Sequence, residues 1–159
     1  MYERILVPYD GSETSIRGLD EAVELARLTG ATLSVLHIVE ILHFITGFEP
    51  ATVYANDAIP LMMKAGEALL EKARARVTEH GVPVHTVLLQ SMAVRVCEMV
   101  IDQARSWDAR LIVIGTHGRR GFGRFLLGSD AEQIVRLSHC PVLLVRQAQT
   151  AAGAAARTR

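Results

Sequence analysis

Short apolar runs alternate along the chain with longer segments in which apolar residues return every three or four positions. Ile5, Leu6 and Val7 form the first run, and Pro8 closes it. Ser12 or Thr14 can cap the segment that follows, where Ile16, Leu19, Val23 and Ala26 recur at helical spacing and Gly30 supplies the stop. Residues 33–39 read as a second strand, apolar on both faces apart from Ser34 and His37. Met62, Ala65, Leu69 and Ala73 predict a helix over 61–80, stopped by Gly81, with a third strand over 82–89. Ala93, Cys97, Val100 and Ala104 mark a third helix, and 111–114 a fourth strand. Ser129 and Glu132 have the spacing of a capping box at the head of the last helix. Residues 141–145 read as the fifth strand.

Five strands alternating with four helices predict an α/β fold, an open parallel sheet with right-handed crossovers and helices on both faces. No internal repeat or boundary interrupts residues 1–146, which read as one domain. The Ala-, Gly-, Thr- and Arg-containing stretch 147–159 reads as a disordered tail. Two connections are long, 40–60 and 115–128, and long loops in compact domains commonly carry function. All four phenylalanines (Phe44, Phe48, Phe122 and Phe125) fall in them. They are expected to pack these loops onto the body, a ligand or a second subunit.

Composition narrows the picture. The chain has 159 residues, half of them apolar and only 5% aromatic, so one aliphatic core is expected. Lys plus Arg equals Asp plus Glu at 17 each, so no global field draws the protein to nucleic acid or to an anionic membrane. No run approaches the roughly 20 apolar residues that span a bilayer. Only residues 1–4 precede the first apolar run, leaving no room for a signal peptide, and Cys97 and Cys140 lack CxxC spacing. The expectation is a cytoplasmic protein with two free thiols.

The candidate chemistry lies in 115–129. This stretch leaves the end of a buried strand, crosses a glycine-punctuated loop and enters a helix. Ligands of open parallel sheets bind outside the carboxyl ends of the strands. Gly115 and Gly118 let backbone approach a ligand, and Gly128 and Ser129 stand at a helix N-terminus, where free N–H groups favour phosphate. Arg119, Arg120 and Arg124 add positive charge. The same glycines also suit a tight turn with no ligand. A Walker A loop is excluded because no Lys lies between Gly128 and Ser129, and the dinucleotide fingerprint because only Gly11 follows the first strand. His37 reads as a packed strand residue and Cys140 as a buried thiol. His43, His80, His85 and His139 lack ligand spacing, and no GxSxG elbow is present.

Gly115, two residues, Gly118, nine residues, then Gly128-Ser129 resembles the nucleotide signature of the ATP-binding branch of the universal stress protein family. The resemblance extends through 5–12, 35–39 and 140–146, and so over most of residues 1–146. It implies strand order 3-2-1-4-5 and an adenine-nucleotide site at the switch between strands 1 and 4. Pro8, Tyr9 and Asp10 would face the nucleoside, with Asp10 near the ribose or a metal-bound phosphate, and Val39 would line the adenine pocket. Gly115, His117, Gly118, Arg119, Gly128 and Ser129 would surround the phosphates. On their own residue types Asp10 also suits a helix cap and His117 a solvent-facing loop, while Val39 reads as core. Asp130 stands where relatives carry Val or a small neutral residue; it suits the helix dipole and repels a triphosphate.

By this resemblance the protein binds ATP, accompanied by Mg²⁺, as a regulatory protein that an unidentified downstream protein reads, with at most slow hydrolysis or autophosphorylation. A homodimer through residues 141–145 would cover an apolar edge strand that begins with Pro141. Two other readings stay open. One is an enzyme of adenylate chemistry, with the 40–60 loop building a second-substrate pocket; the other is an interaction module without nucleotide.

Overall fold

The computed structural model describes residues 1–41, 58–116 and 127–146. Strand β1 (Arg4–Pro8) leads into helix α1 (Glu13–Thr29), then β2 (Thr32–Glu40), α2 (Ile59–Thr78), β3 (Val84–Ser91), α3 (Val96–Ser106), β4 (Leu111–Gly115), α4 (Ser129–Leu137) and β5 (Val142–Val145). The strands form one sheet in the order β3-β2-β1-β4-β5, every pair parallel. This is the predicted α/β architecture, including the strand order.

The period of two in β1 distributes the core. Ile5 and Val7 join Leu19, Val23, Leu33, Leu70, Val77 and Val113 in a cluster under α1 and α2. Leu6 points to the other face, with Leu36, Cys97, Val100, Ala104, Ile112 and Ile134 under α3 and α4. Residues 33, 35 and 36 of β2 are all at most 1% exposed, which is why that strand reads as a continuous apolar run rather than an alternating one.

Ser12 is the N-cap of α1, its hydroxyl accepting the Ser15 N–H at 3.3 Å, and Gly30 ends the helix in the left-handed region at φ 71°. Several boundaries move from the sequence reading. Strand β3 starts at Val84 rather than at 82, and β5 at Val142 rather than Pro141, because a proline has no N–H for the ladder. The carbonyls of Pro83 and Pro141 still accept from Leu33 and Ile112, at 2.9 and 3.0 Å. Ala93 lies before α3, not in it. Cys140 is half-buried rather than buried, with the Ser138 hydroxyl donating to its carbonyl at 2.9 Å.

The capping box at Ser129 and Glu132 does not form. Gly128 is the N-cap of α4 and no side chain caps that end. The Gly128 N–H is drawn back to the Thr116 carbonyl at 2.9 Å, which places Ser129 one residue inside the helix. Among the described residues no helix is long and apolar enough to cross a membrane.

Candidate functional site

Strands β1 and β4 are neighbours at the centre of the sheet, yet the helices that follow them cover opposite faces. Their carboxyl ends therefore diverge and leave a crevice. A cavity of about 650 Å³ occupies it, within the range usual for small-molecule sites.

The β1 side is built by short-range hydrogen bonds. After Tyr9 the chain turns through Gly11 at φ 77°, and the Asp10 carboxylate accepts the Ser12 N–H at 2.9 Å. This turn orients a half-buried carboxylate at the cavity wall, so Asp10 organises the approach to α1 without being its cap. The Tyr9 N–H donates to the Leu36 carbonyl at 2.8 Å, and the Tyr9 carbonyl accepts from His37 Nδ1 at 2.8 Å. A carbonyl can only accept, so Nδ1 of His37 carries a proton. His37 thus pins the β1 end to β2 and also lines the cavity. Burial pushes the Tyr9 hydroxyl above its ordinary range, partly offset by the Arg76 guanidinium. Arg76 itself is held by a two-pronged pairing with Asp20, at 2.5 and 2.8 Å, that ties α2 to α1.

On the β4 side, a Cβ at Gly115 would lie 2.9 Å from the carbonyl carbon, Cβ and Oγ1 of Thr14. Gly115 therefore has a packing reason, the close passage of β4 under the first turn of α1, besides any role toward a ligand. Beyond it, the Thr116 N–H donates to Val145 and the Thr116 carbonyl accepts from Gly128, each at 2.9 Å. The first intrahelical bond of α4 runs from the Glu132 N–H to the Gly128 carbonyl at 2.9 Å. The N–H groups of Ser129, Asp130 and Ala131 precede it and take no carbonyl from their own helix. All three residues line the cavity, so its β4 end offers backbone donors and the positive end of a helix dipole.

Of the residues singled out in the sequence, Pro8, Tyr9, Asp10, Val39, Gly115, Gly128, Ser129 and Asp130 line this one cavity. His117, Gly118 and Arg119 lie outside the described residues, as do Arg120 and Arg124. The structure adds Met62, Ala65, Gly66 and Leu69 of α2, Val96 and Val100 of α3, and Glu40 and Thr116. A helix-interior glycine, Gly66, was the available signal: a Cβ there would come within 3.2 Å of Leu88, His37 and Val39, so α2 sits close on β2 beside the cavity.

The charged side chains among the described lining residues are all acidic: Asp10, Glu40 and Asp130. A smaller cavity of about 390 Å³ shares Glu40, Val96, Ser129 and Asp130 with the first and adds Arg95, Cys97 and Gln133. Burial, with the Asp130 charge adding to it, pushes the Cys97 thiol up, so it stays protonated and a poor nucleophile at neutral pH. No group of three or more His, Cys, Asp or Glu among the described residues is placed to hold a metal ion.

Comparison with known proteins points one way. The model of the universal stress protein family matches residues 1–146. Universal stress protein YxiE of Bacillus subtilis is 33% identical over 151 residues, spanning 92% of this chain and 100% of its own. A crystal structure of a universal stress protein family member from Burkholderia pseudomallei superposes with a TM-score of 0.71 at 33% identity, over 91% of this chain and 96% of that one. A universal stress protein from Archaeoglobus fulgidus, solved in complex with dAMP, gives a TM-score of 0.64 at 26% identity, over 91% and 98%.

Proposed function

The chain belongs to the universal stress protein family, and we propose that it is an ATP-binding regulatory member of it, cytoplasmic and dimeric. The observation that carries the reading is the cavity of about 650 Å³ at the β1/β4 switch point, with an uncapped helix N-terminus at one end and apolar residues at the other. In this reading Val39, Met62 and Leu69 would give a flat base an apolar seat, Asp10 would offer a ribose hydroxyl an acceptor, and the head of α4 would offer N–H groups to phosphate. The dAMP complex of the Archaeoglobus fulgidus relative supports an adenine nucleotide as the ligand.

Mg²⁺ fits as a companion of the nucleotide. It binds through one or two carboxylates plus substrate phosphates rather than in a cage of protein ligands. Asp10, Glu40 and Asp130 supply hard oxygens at the cavity, and no preformed cluster of three or more ligating side chains exists among the described residues. When bound, the ion would neutralise phosphate charge. Strand β5 is a sheet edge whose Leu143 is 37% exposed, and pairing with a second copy through residues 141–145 would cover it.

Ala65 provides the test. It is exposed on α2 and lines the cavity, so Ala65→Trp keeps the fold and puts an indole in the base's place. If the indole keeps about 100 Å² of the base from burial, the loss is about 2.5 kcal/mol, nearly two decades in Kd. Calorimetry with ATP and Mg²⁺ on nucleotide-stripped protein should show binding to the wild type and this loss in the variant. Equal affinities in the two proteins would place the nucleotide elsewhere or nowhere.

A further inference from the structure

Asp130 occupies an unusual place for an acid in a site read as holding phosphate. It is the second residue of α4, between Ser129 and Ala131, and all three line the same cavity. An acid in a first turn answers the helix dipole, so its carboxylate competes for the positive end that would otherwise be offered to a ligand anion. Asp130 also belongs to the wall shared by the two cavities, together with Glu40. Its charge is felt across that wall at the Cys97 thiol.

We propose that Asp130 is the charge-selecting residue of the nucleotide site: it opposes each added phosphate, so that the site ranks adenine nucleotides by net charge and accepts ATP chiefly as its Mg²⁺ complex. The inference rests on the nucleotide-binding reading above. Every phosphate added to AMP brings more negative charge toward the head of α4, while adenine and ribose contacts stay the same. Asp10 and Glu40 are the other charged side chains among the described lining residues of the larger cavity, and Arg95 belongs to the smaller one, so removing Asp130 changes the balance at the phosphate end without touching the base. A unit charge about 6 Å from a phosphate, at an effective dielectric near 20 and after salt screening, corresponds to on the order of a 10-fold change in affinity. Asp130 is itself exposed, which keeps the effect at this scale rather than above it.

The experiment titrates AMP and ATP, each in EDTA and in Mg²⁺, into nucleotide-stripped wild type, Asp130→Asn and Glu132→Gln. Glu132 stands in the same first turn and pairs with Arg136 at 3.5 Å, but it lines neither cavity, so it controls for a general change in helix charge. In EDTA, Asp130→Asn should raise ATP affinity about 10-fold more than AMP affinity, Glu132→Gln should leave the ratio unmoved, and Mg²⁺ should shrink the difference. An ATP-to-AMP ratio unchanged in Asp130→Asn, or shifted equally in Glu132→Gln, overturns the assignment while leaving nucleotide binding intact. A wild type that binds neither nucleotide in either medium overturns the binding reading and this inference with it. Thermal melts of the three ligand-free proteins show that the comparison is between folded states.

Discussion

Two glycines meet where β4 passes under α1, and an added methyl group should act on them in opposite directions. At Gly115 a Cβ would sit 2.9 Å from three atoms of Thr14, half an ångström short of the 3.4 Å at which ordinary contact begins. One of the three is the backbone carbonyl carbon, in the first turn of a helix fixed by its Ser12 cap, so the neighbour cannot swing aside. Overpacking of this kind costs about 1–3 kcal/mol. At Gly18, across the same contact, the nearest atom to an added Cβ is the Gly115 amide nitrogen at 3.6 Å, an ordinary separation. Gly18 lies inside α1, where exchanging glycine for alanine is worth about 0.5–1 kcal/mol in backbone entropy. For a chain of this size each kcal/mol moves Tm by roughly 2–4 °C. Differential scanning calorimetry of nucleotide-free protein should therefore show Gly115→Ala melting several degrees below wild type and Gly18→Ala slightly above. If Gly115→Ala melts with the wild type, the packing argument fails. Two shifts of the same sign would refute the geometry of the contact.

Two further outcomes are expected. If β5 pairs with a second copy, the wild type should scatter light as a dimer and Leu143→Arg as a monomer; Leu143 is the better probe because Val142 packs on the α3/α4 core, where an arginine would disturb folding. A monomeric wild type at micromolar concentration would remove the β5 pairing. Because burial raises the Tyr9 pKa above 10.0, the unfolded chain loses that proton first, so the stability it contributes is present below pH 10 and lost as pH rises through the folded value. Tyr9→Phe should flatten the alkaline limb of the denaturation profile, and an unchanged slope would show that the hydroxyl is not buried.

Much of the fold was legible because each strand carries its own short apolar run and each helix its own periodicity; Ile5 to Val7 and Leu19 to Ala26 suffice to place β1 and α1. Proline chemistry explains the misplaced starts of β3 and β5, since Pro83 and Pro141 are apolar but cannot donate. The head of α4 was misread because Ser129 and Glu132 match a local pattern, whereas the position of Gly128 is decided by a long-range bond to Thr116. The same division runs through the site. Its β4 end, Gly115 with Gly128 and Ser129, carries glycines that show in the sequence. The α2 wall does not: Met62, Ala65 and Leu69 follow the ordinary 3.6 period of a core-facing helix, and only the crossover that lays α2 on β2 turns them toward a cavity. His37 was read as a packed strand residue, which it is, but the atom it holds is the Tyr9 carbonyl at the cavity rim.

Thr116 and Gly128 join the two ends of the segment between them by a bond of 2.9 Å, and Thr116 is anchored in turn to Val145 at 2.9 Å. The chain therefore leaves the sheet and returns to it at a single fixed point. The head of α4 is thereby tied to β4 and β5 through main-chain atoms alone. In mechanical terms the two bonds form a clamp made of main chain, so the head of α4 keeps its place beside the cavity when the side chains around it are exchanged.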